Sequence, residues 1–336
     1  MAVALVTGAT GLVGSHLVER LRAGGWRVRA LTRDPAAARD MLARLDAEPV
    51  VGDLLDAGSL AGAARGCDAV VHAAALITAR GGWSVYDATN VAGTRNVVSA
   101  ARTAGARILH VSSVAVYGAT ARYSRGAGGT TEDAALAPLP SSAWYARSKR
   151  DAEEVVLGAH RAGSVWATAV RPAVVYGRRD RQFVPRMARL AMRGVVPVPG
   201  GGQAPLALVH AANVADAAVR ALESDVAGGR AYNVANDFAV TAADFFRLAG
   251  EGLGRPVRVL SIPAAVARAG QGAASALLRV VGAGALADAL GASVDYVTRG
   301  NPFTSDRARV ELGWIPRVRP ETGVPDAFEW WRRERE

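Results

Sequence analysis

Three glycines near the N-terminus restrict the fold of this chain more than anything else in it. Ala2-Val3-Ala4-Leu5-Val6-Thr7 is a short apolar run, the pattern of a strand buried on both faces. Gly8-Ala9-Thr10-Gly11-Leu12-Val13-Gly14 follows directly, and an amphipathic stretch then runs to about Ala23. Strand, glycine loop, helix is the order that a dinucleotide fingerprint requires. Gly8 permits the tight turn, Gly11 lets a pyrophosphate approach the backbone, and Gly14 lets the helix pack on the strand. Thr10, Leu12 and Val13 complete the loop. A pyrophosphate would sit at the helix N-terminus, where free N–H groups and the helix dipole favour an anion.

The next apolar run, Val28 to Thr32, reads as the second strand. Its end meets the adenosine ribose in such folds. An acidic residue there accepts hydrogen bonds from the 2′-hydroxyl of NAD and repels a 2′-phosphate. Here the positions are Thr32 and Arg33, followed by Asp34 and Pro35. A small hydroxyl and a guanidinium suit a 2′-phosphate, which arginine can hold bidentately. The reading is NADP(H), with NAD(H) still possible through a solvated Arg33 and an Asp34 that serves the ribose. Strand-like runs recur at Pro49–Gly52, Ala69–His72, Ile108–Ser112 and Val165–Arg171. Helical stretches separate them, notably Asn90–Ala104 and Tyr145–Ala162. The alternation predicts an α/β fold, a doubly wound parallel sheet of the Rossmann type.

Composition narrows the function. The 336 residues are 50% hydrophobic and 21% charged, enough for a large core and unlike a disordered chain. The net charge of +10 comes from scattered arginines, without a basic run or interleaved aromatics, so no nucleic-acid partner is expected. Cys67 is the single cysteine, which rules out an internal disulfide or a thiolate cluster. His16, His72, His110, His160 and His210 are too far apart in sequence for a local metal site, and none is expected. The N-terminus lacks a basic region and cleavage pattern, and no stretch reads as a membrane span, so the expected compartment is the cytoplasm.

Lysine and arginine together number 40, and Lys149 is the only lysine. A chain so biased toward arginine keeps a lysine where a guanidinium cannot substitute. In Tyr145-Ala146-Arg147-Ser148-Lys149, a helix would place Tyr145 and Lys149 on one face, four residues apart. An ammonium beside a phenol would lower a pKa that is normally about 10 and make the tyrosine a general acid or base. Lysine does this as a compact point charge, unlike arginine's rigid fork.

These segments together resemble the extended short-chain dehydrogenase/reductase family. The glycine loop is joined by Gly52-Asp53-Leu54, by Val71-His72-Ala73-Ala74-Ala75 and by Asn90-Val91-Ala92-Gly93-Thr94. Val111-Ser112-Ser113 through Gly118, Tyr145 with Lys149, and Arg171-Pro172 through Gly177 continue the likeness. Val209-His210 through Asp216 and Arg307 through Trp314 extend it over nearly the whole chain. The resemblance implies that Asp53 and Leu54 contact the adenine, and that Ala73, Ala74 and Ala75 border the cofactor. Ser113 would orient the substrate, Tyr145 would be the acid/base, and Lys149 its partner and a ribose ligand. Pro172 would lie near the nicotinamide, and Asn90 would support the site. Tyr117 and Tyr176 read as packing residues, and His210 and Asp216 as organisers of a strand-to-helix corner. Trp83 and Trp144 either border the pocket or pack. Arg178, Arg179, Arg181 and Arg186 are solvated or bind an anionic substrate.

The family contains carbonyl reductases and also nucleotide-sugar epimerases and dehydratases that hold NAD tightly. Three features favour a reductase. Arg33 replaces an acid at the ribose. Leu206 stands where nucleotide-sugar enzymes often carry a phosphate-binding arginine. The tail Val297–Asp306 resembles the hydroxysteroid-dehydrogenase-like and dihydroflavonol-reductase-like branch, in which a segment like Ile262–Leu290 covers an apolar pocket. Arg299 remains a possible phosphate ligand. The expected activity is NADP(H)-dependent reduction of an apolar ketone or aldehyde, or oxidation of the matching alcohol. The alternatives are an NAD-dependent sugar epimerase or dehydratase and, from another class, a non-catalytic NADP-binding regulator. The resemblance also implies a cofactor domain at 1–174 and 206–236, a smaller discontinuous C-terminal substrate lobe at 175–205 and 237–330, a mobile cover at Ala119–Ser142, and a homodimer formed through the fourth and fifth helices.

Overall fold

The computed structural model describes residues 1–335 apart from 79–80, 119–128, 236, 264, 268, 271 and 273–299. Its strands are β1 (Val3–Thr7), β2 (Arg27–Thr32), β3 (Glu48–Val51), β4 (Ala69–His72), β5 (Arg107–Val111), β6 (Ala167–Pro172), β7 (Val174–Tyr176), β8 (Val195–Pro199), β9 (Leu208–His210), β10 (Ala231–Val234) and β11 (Arg258–Ile262). Its helices are α1 (Leu12–Ala23), α2 (Pro35–Arg44), α3 (Ala57–Ala64), α4 (Trp83–Tyr86), α5 (Gly93–Ala104), α6 (Trp144–Arg161), α7 (Phe183–Ala191), α8 (Ala211–Glu223), α9 (Ala242–Gly252), α10 (Asp306–Leu312) and α11 (Pro320–Arg333).

Seven strands form one sheet in the order β10-β6-β5-β4-β1-β2-β3, with every pair parallel. Successive strand residues face opposite sides. Ala4, Val6, Val28, Ala69, Val71 and Leu109 pack with α1, α2 and α8 in one core. Leu5, Val70 and Ile108 pack with α3, α5 and α6 in another. Both faces are therefore covered, which explains why these strands read as continuous apolar runs. The order reverses between β1 and β4, and ligands bind in the crevice at such a switch point.

The catalytic-helix candidate α6 is fastened to β6 by a buried ion pair. The Arg171 guanidinium donates to Glu153 at 2.6 Å and to the Tyr117 hydroxyl at 2.8 Å. A buried charge is tolerated only when paired in this way. The strand-to-helix corner at His210 is capped by its own ring, which accepts the Ala212 N–H at 3.2 Å. Asp216 then joins α8 to α1 through Arg20 and is paired within α8 to Arg220, each at 2.9 Å. Tyr117 and Tyr176 are both buried.

Beyond β6 the chain builds a second, smaller core. The pairs β7–β9 and β8–β11 lie alongside α7, α9 and α11, with Val184, Phe245 and Phe328 at the centre. Most of the expected covering segment Ile262–Leu290, residues 119–128 of the expected mobile cover, and Arg299 lie outside the described residues. Among the described residues, no helix is long and apolar enough to cross a membrane.

Candidate active site

A cavity of about 1090 Å³ opens at the C-terminal ends of β1, β4, β5 and β6. The glycine loop forms one wall. Gly8 has φ +69, and a Cβ there would lie 2.8 Å from the Ala74 backbone. A Cβ at Gly14 would lie 2.0 Å from the Gly8 carbonyl oxygen. Only glycine lets the loop pass this close to β4 and α1. Gly11 caps α1 with no side-chain hydrogen bond. The first-turn N–H groups of Leu12, Val13 and Gly14, which the helix itself cannot satisfy, therefore stand at the cavity wall. These free N–H groups beside a loop packed too closely for any side chain at Gly8 or Gly14 fit a dinucleotide pyrophosphate.

Thr10, Ala73, Ala74, Ala75, Ser113, Tyr145, Lys149 and Pro172 also line this cavity. Residues from the N-terminal loop and from the ends of β4, β5 and β6 thus meet the first turns of α6. Ser113 caps the short 3-10 turn Val114–Tyr117, its oxygen accepting the Ala115 N–H at 3.1 Å. The Tyr145 phenol lies on the same cavity wall. Lys149 is buried and donates to the Val111 carbonyl at 2.7 Å.

The charge states differ from the expectation that Lys149 draws the phenol down. Burial pushes the Tyr145 phenol above its ordinary value, and the nearby Ser113 hydroxyl only partly opposes this. Removing a phenolate from water outweighs that help. Burial also lowers Lys149 to about 8, against a raising pull from Glu153. Tyr145 therefore keeps its proton at neutral pH.

The remaining expected residues lie elsewhere. Asn90 is buried in a π-helical stretch, Asp87–Ala92, and does not line the cavity. Its amide donates to the Leu76 carbonyl and the Ser148 hydroxyl, both at 2.9 Å, and its oxygen accepts the Leu76 N–H at 2.8 Å. Leu206 points into the second core, and its neighbour Ala207 faces the cavity. Thr32, Arg33, Asp53 and Leu54 lie apart from the cavity wall, by the ends of β2 and β3. Arg33 is exposed, with no hydrogen bond or ion pair among the described residues. Asp34 is the N-cap of α2 and accepts the Ala37 N–H at 3.0 Å. Asp53 accepts the Leu55 N–H at 2.9 Å, and the Leu54 carbonyl accepts from Asn96 at 2.9 Å.

Arg178 is paired with Asp326, and Arg186 is exposed. Arg179 and Arg181 line the cavity. Arg179 has φ +68, donates to the Ser15 hydroxyl at 2.8 Å and meets Glu19 at 2.8 Å, so it is tied to α1. Its placement depends on a left-handed backbone that nothing in a run of arginines announces. Trp83 carries the Arg147 guanidinium 3.9 Å from its ring centre, and neither Trp83 nor Trp144 reaches the cavity wall.

A parallel sheet with its switch-point cleft, glycine cradle and Ser-Tyr-Lys wall defines a dinucleotide-dependent enzyme. The chain belongs to the NAD dependent epimerase/dehydratase family, whose model matches residues 4–235. It is 32% identical over 320 residues to a 4-hydroxy-2-methyl-3-oxo-4-farnesyl-3,4-dihydroquinoline-1-oxide ketoreductase of Stigmatella aurantiaca, covering 95% of this chain and 93% of the relative. It is 30% identical over 332 residues to a ceramide reductase of Caulobacter vibrioides, covering 97% and 90%. In structure it is similar to a dTDP-glucose 4,6-dehydratase from Streptomyces venezuelae with NAD bound, at a TM-score of 0.73 and 26% identity over 99% of this chain and 98% of that one. The protein is an oxidoreductase of this superfamily with reductase relatives.

Proposed function

We propose that the protein is an NADP(H)-dependent reductase of an apolar ketone or aldehyde, with Tyr145 as the proton donor. The observation that carries this reading is the convergence of Ser113, Tyr145, Lys149 and Pro172 with the glycine cradle on one cavity that Val174, Val175, Ala207 and Phe303 also line. The nicotinamide dinucleotide, when bound, supplies the hydride. The Ser113 and Tyr145 hydroxyls donate to the substrate oxygen and fix its orientation. Tyr145 gives up its phenolic proton as that oxygen gains charge, and burial has kept this proton in place for reduction. Lys149 offsets the charge left on the phenol. Solvent restores the proton.

Arg33 supports NADP(H) because its guanidinium is exposed and uncommitted, whereas Asp34 is engaged as a helix cap. Asp53 and Leu54 would meet the adenine, and Asn90 would brace the site from behind. The reductase relatives act on a farnesyl-bearing ketone and on ceramide, by their names. Arg179 and Arg181 on the wall favour the second reading, a nucleotide-sugar epimerase or dehydratase. We assign residues 1–174 and 206–236 to cofactor binding and 175–205 with 237–330 to the substrate lobe, because α8 and β10 return to the main sheet. Adjacent α5 and α6 would form a two-fold dimer interface.

The deciding experiment follows NADPH oxidation with 2-decanone and thermal shift with TDP or UDP in the presence of NADP. Turnover of the ketone with no stabilisation by the nucleotides is the expected result. Selective stabilisation by TDP or UDP, without ketone turnover, overturns the reductase reading.

A further inference from the structure

Beneath the cavity lies a row of buried polar side chains that the mechanism above does not use. Thr7, His72 and His110 stand opposite one another on β1, β4 and β5 and are each no more than 1% exposed. Only one assignment of protons fits the hydrogen bonds of the first two. Thr94 donates its single hydroxyl proton to the Asn90 carbonyl at 2.6 Å. The 2.9 Å contact between His72 Nε2 and Thr94 Oγ1 must then carry its proton on the histidine. His72 is neutral, since burial lowers it to about 3. Its Nδ1 is therefore bare and accepts the Thr7 hydroxyl at 2.8 Å. The Thr7 oxygen in turn accepts the Ala74 N–H at 3.2 Å.

The chain of bonds reaches both sides of the cleft. At one end, Thr7 precedes the glycine loop, and Ala74 is a cavity wall. At the other, Asn90 holds the Leu76 backbone and Ser148, and the Ser148 hydroxyl donates to the Tyr145 carbonyl at 2.9 Å. The geometry points to His72 as a positioning residue that locks the cofactor-facing segment after β4 and the Tyr145 helix into one hydrogen-bonded unit. The inference rests on the reductase reading for its turnover consequences and, for its binding consequences, only on that reading's placing of NADPH in the cleft. A linked chain differs from independent packing contacts, because breaking it at either end releases the same restraint.

The test is a double-mutant cycle with His72→Phe and Ser148→Ala, read in the Kd for NADPH by fluorescence and in kcat and KM for 2-decanone. His72→Phe should weaken NADPH binding and lower kcat by about tenfold each, the loss expected of one buried hydrogen bond, with KM moving less than about twofold. The double variant should be no worse than the poorer single variant. Thr94→Val, which keeps the shape and removes only the hydroxyl, should reproduce the His72→Phe losses and carries the test if His72→Phe does not fold. Losses that multiply, or variants that lower only the melting temperature, overturn the inference. Absence of ketone turnover in the wild type defeats the reductase reading alone, and the NADPH cycle still decides the role of His72.

Discussion

The two ends of the cofactor cleft are built on opposite plans. At the reaction end, Lys149 is buried and donates to the Val111 carbonyl, Ser113 accepts the Ala115 N–H, and Tyr145 is half-buried on the first turn of α6. At the ribose end, Arg33 is exposed and uncommitted, and Thr32 does no more than close a turn with Asp34 at 3.2 Å. A preorganised group loses little freedom when the reaction begins, whereas a long exposed side chain must be ordered by the ligand it binds. In the proposed reductase, the contrast would assign rate to one end and cofactor choice to the other.

The sharpest way to break that contrast is Tyr145→Phe. It removes one oxygen and should lower turnover by about 100-fold or more while leaving melting temperature and cofactor affinity nearly unchanged. A variant that kept its rate would show that the preorganised end is only packing. Lys149→Arg comes next, with an expected loss of at least about tenfold, because a fork cannot repeat a point contact to the Val111 carbonyl. Its pH profile is the finer readout. The wild-type rate of reduction should fall as pH rises through about 8, where buried Lys149 loses its charge. The phenol itself should impose no fall until above its ordinary range, because burial has raised it. In Lys149→Arg the limb at about 8 should vanish, since a guanidinium stays charged.

At the open end, Arg33→Ala should cost NADPH about 1.5 kcal/mol, roughly tenfold in Kd, and leave NADH almost unaffected. Equal losses for both cofactors would remove the division of labour. The smallest expected effect separates Arg33 from its neighbour. Asp34→Ala should lower stability by about 1 kcal/mol through loss of the α2 cap. Asp34→Asn, which retains the capping oxygen, should change neither stability nor NADH affinity. Weaker NADH binding by Asp34→Asn would return the ribose to the acid.

What could be read from the sequence follows the range of the forces involved. The β1–loop–α1 unit was legible because its requirements are local: an apolar run, three glycines at fixed spacing and an amphipathic helix. The placing of Tyr145 and Lys149 on one cavity wall was visible as spacing on one helix face, whereas Ser113 was indicated only by the family resemblance. The facing of Leu206 was not, because a shift of one residue in an extended segment reverses which side chain meets the cavity. The charge balance at Tyr145 also escaped, since burial depends on everything packed around the phenol and outweighs a neighbour four residues away. The π-helical stretch that aims Asn90 at Leu76, the left-handed turn that brings Arg179 to α1, and the Thr7–His72–Thr94 chain all depend on contacts between residues distant in sequence.

The solitary lysine has a practical consequence. Apart from the terminal amine, the chain offers amine-reactive chemistry a single target, and that target lies in the wall of the cavity. With its ammonium lowered to about 8, Lys149 is partly unprotonated under mildly alkaline conditions, and only an unprotonated amine is a nucleophile. A small aldehyde or acylating reagent that enters the cleft would therefore label a single side-chain atom, Lys149 Nζ, beside the exposed terminal amine. The occupied cleft would shield that atom but not the terminal amine, so labelling at Lys149 read against labelling at the terminus counts open sites in a native, unmutated sample.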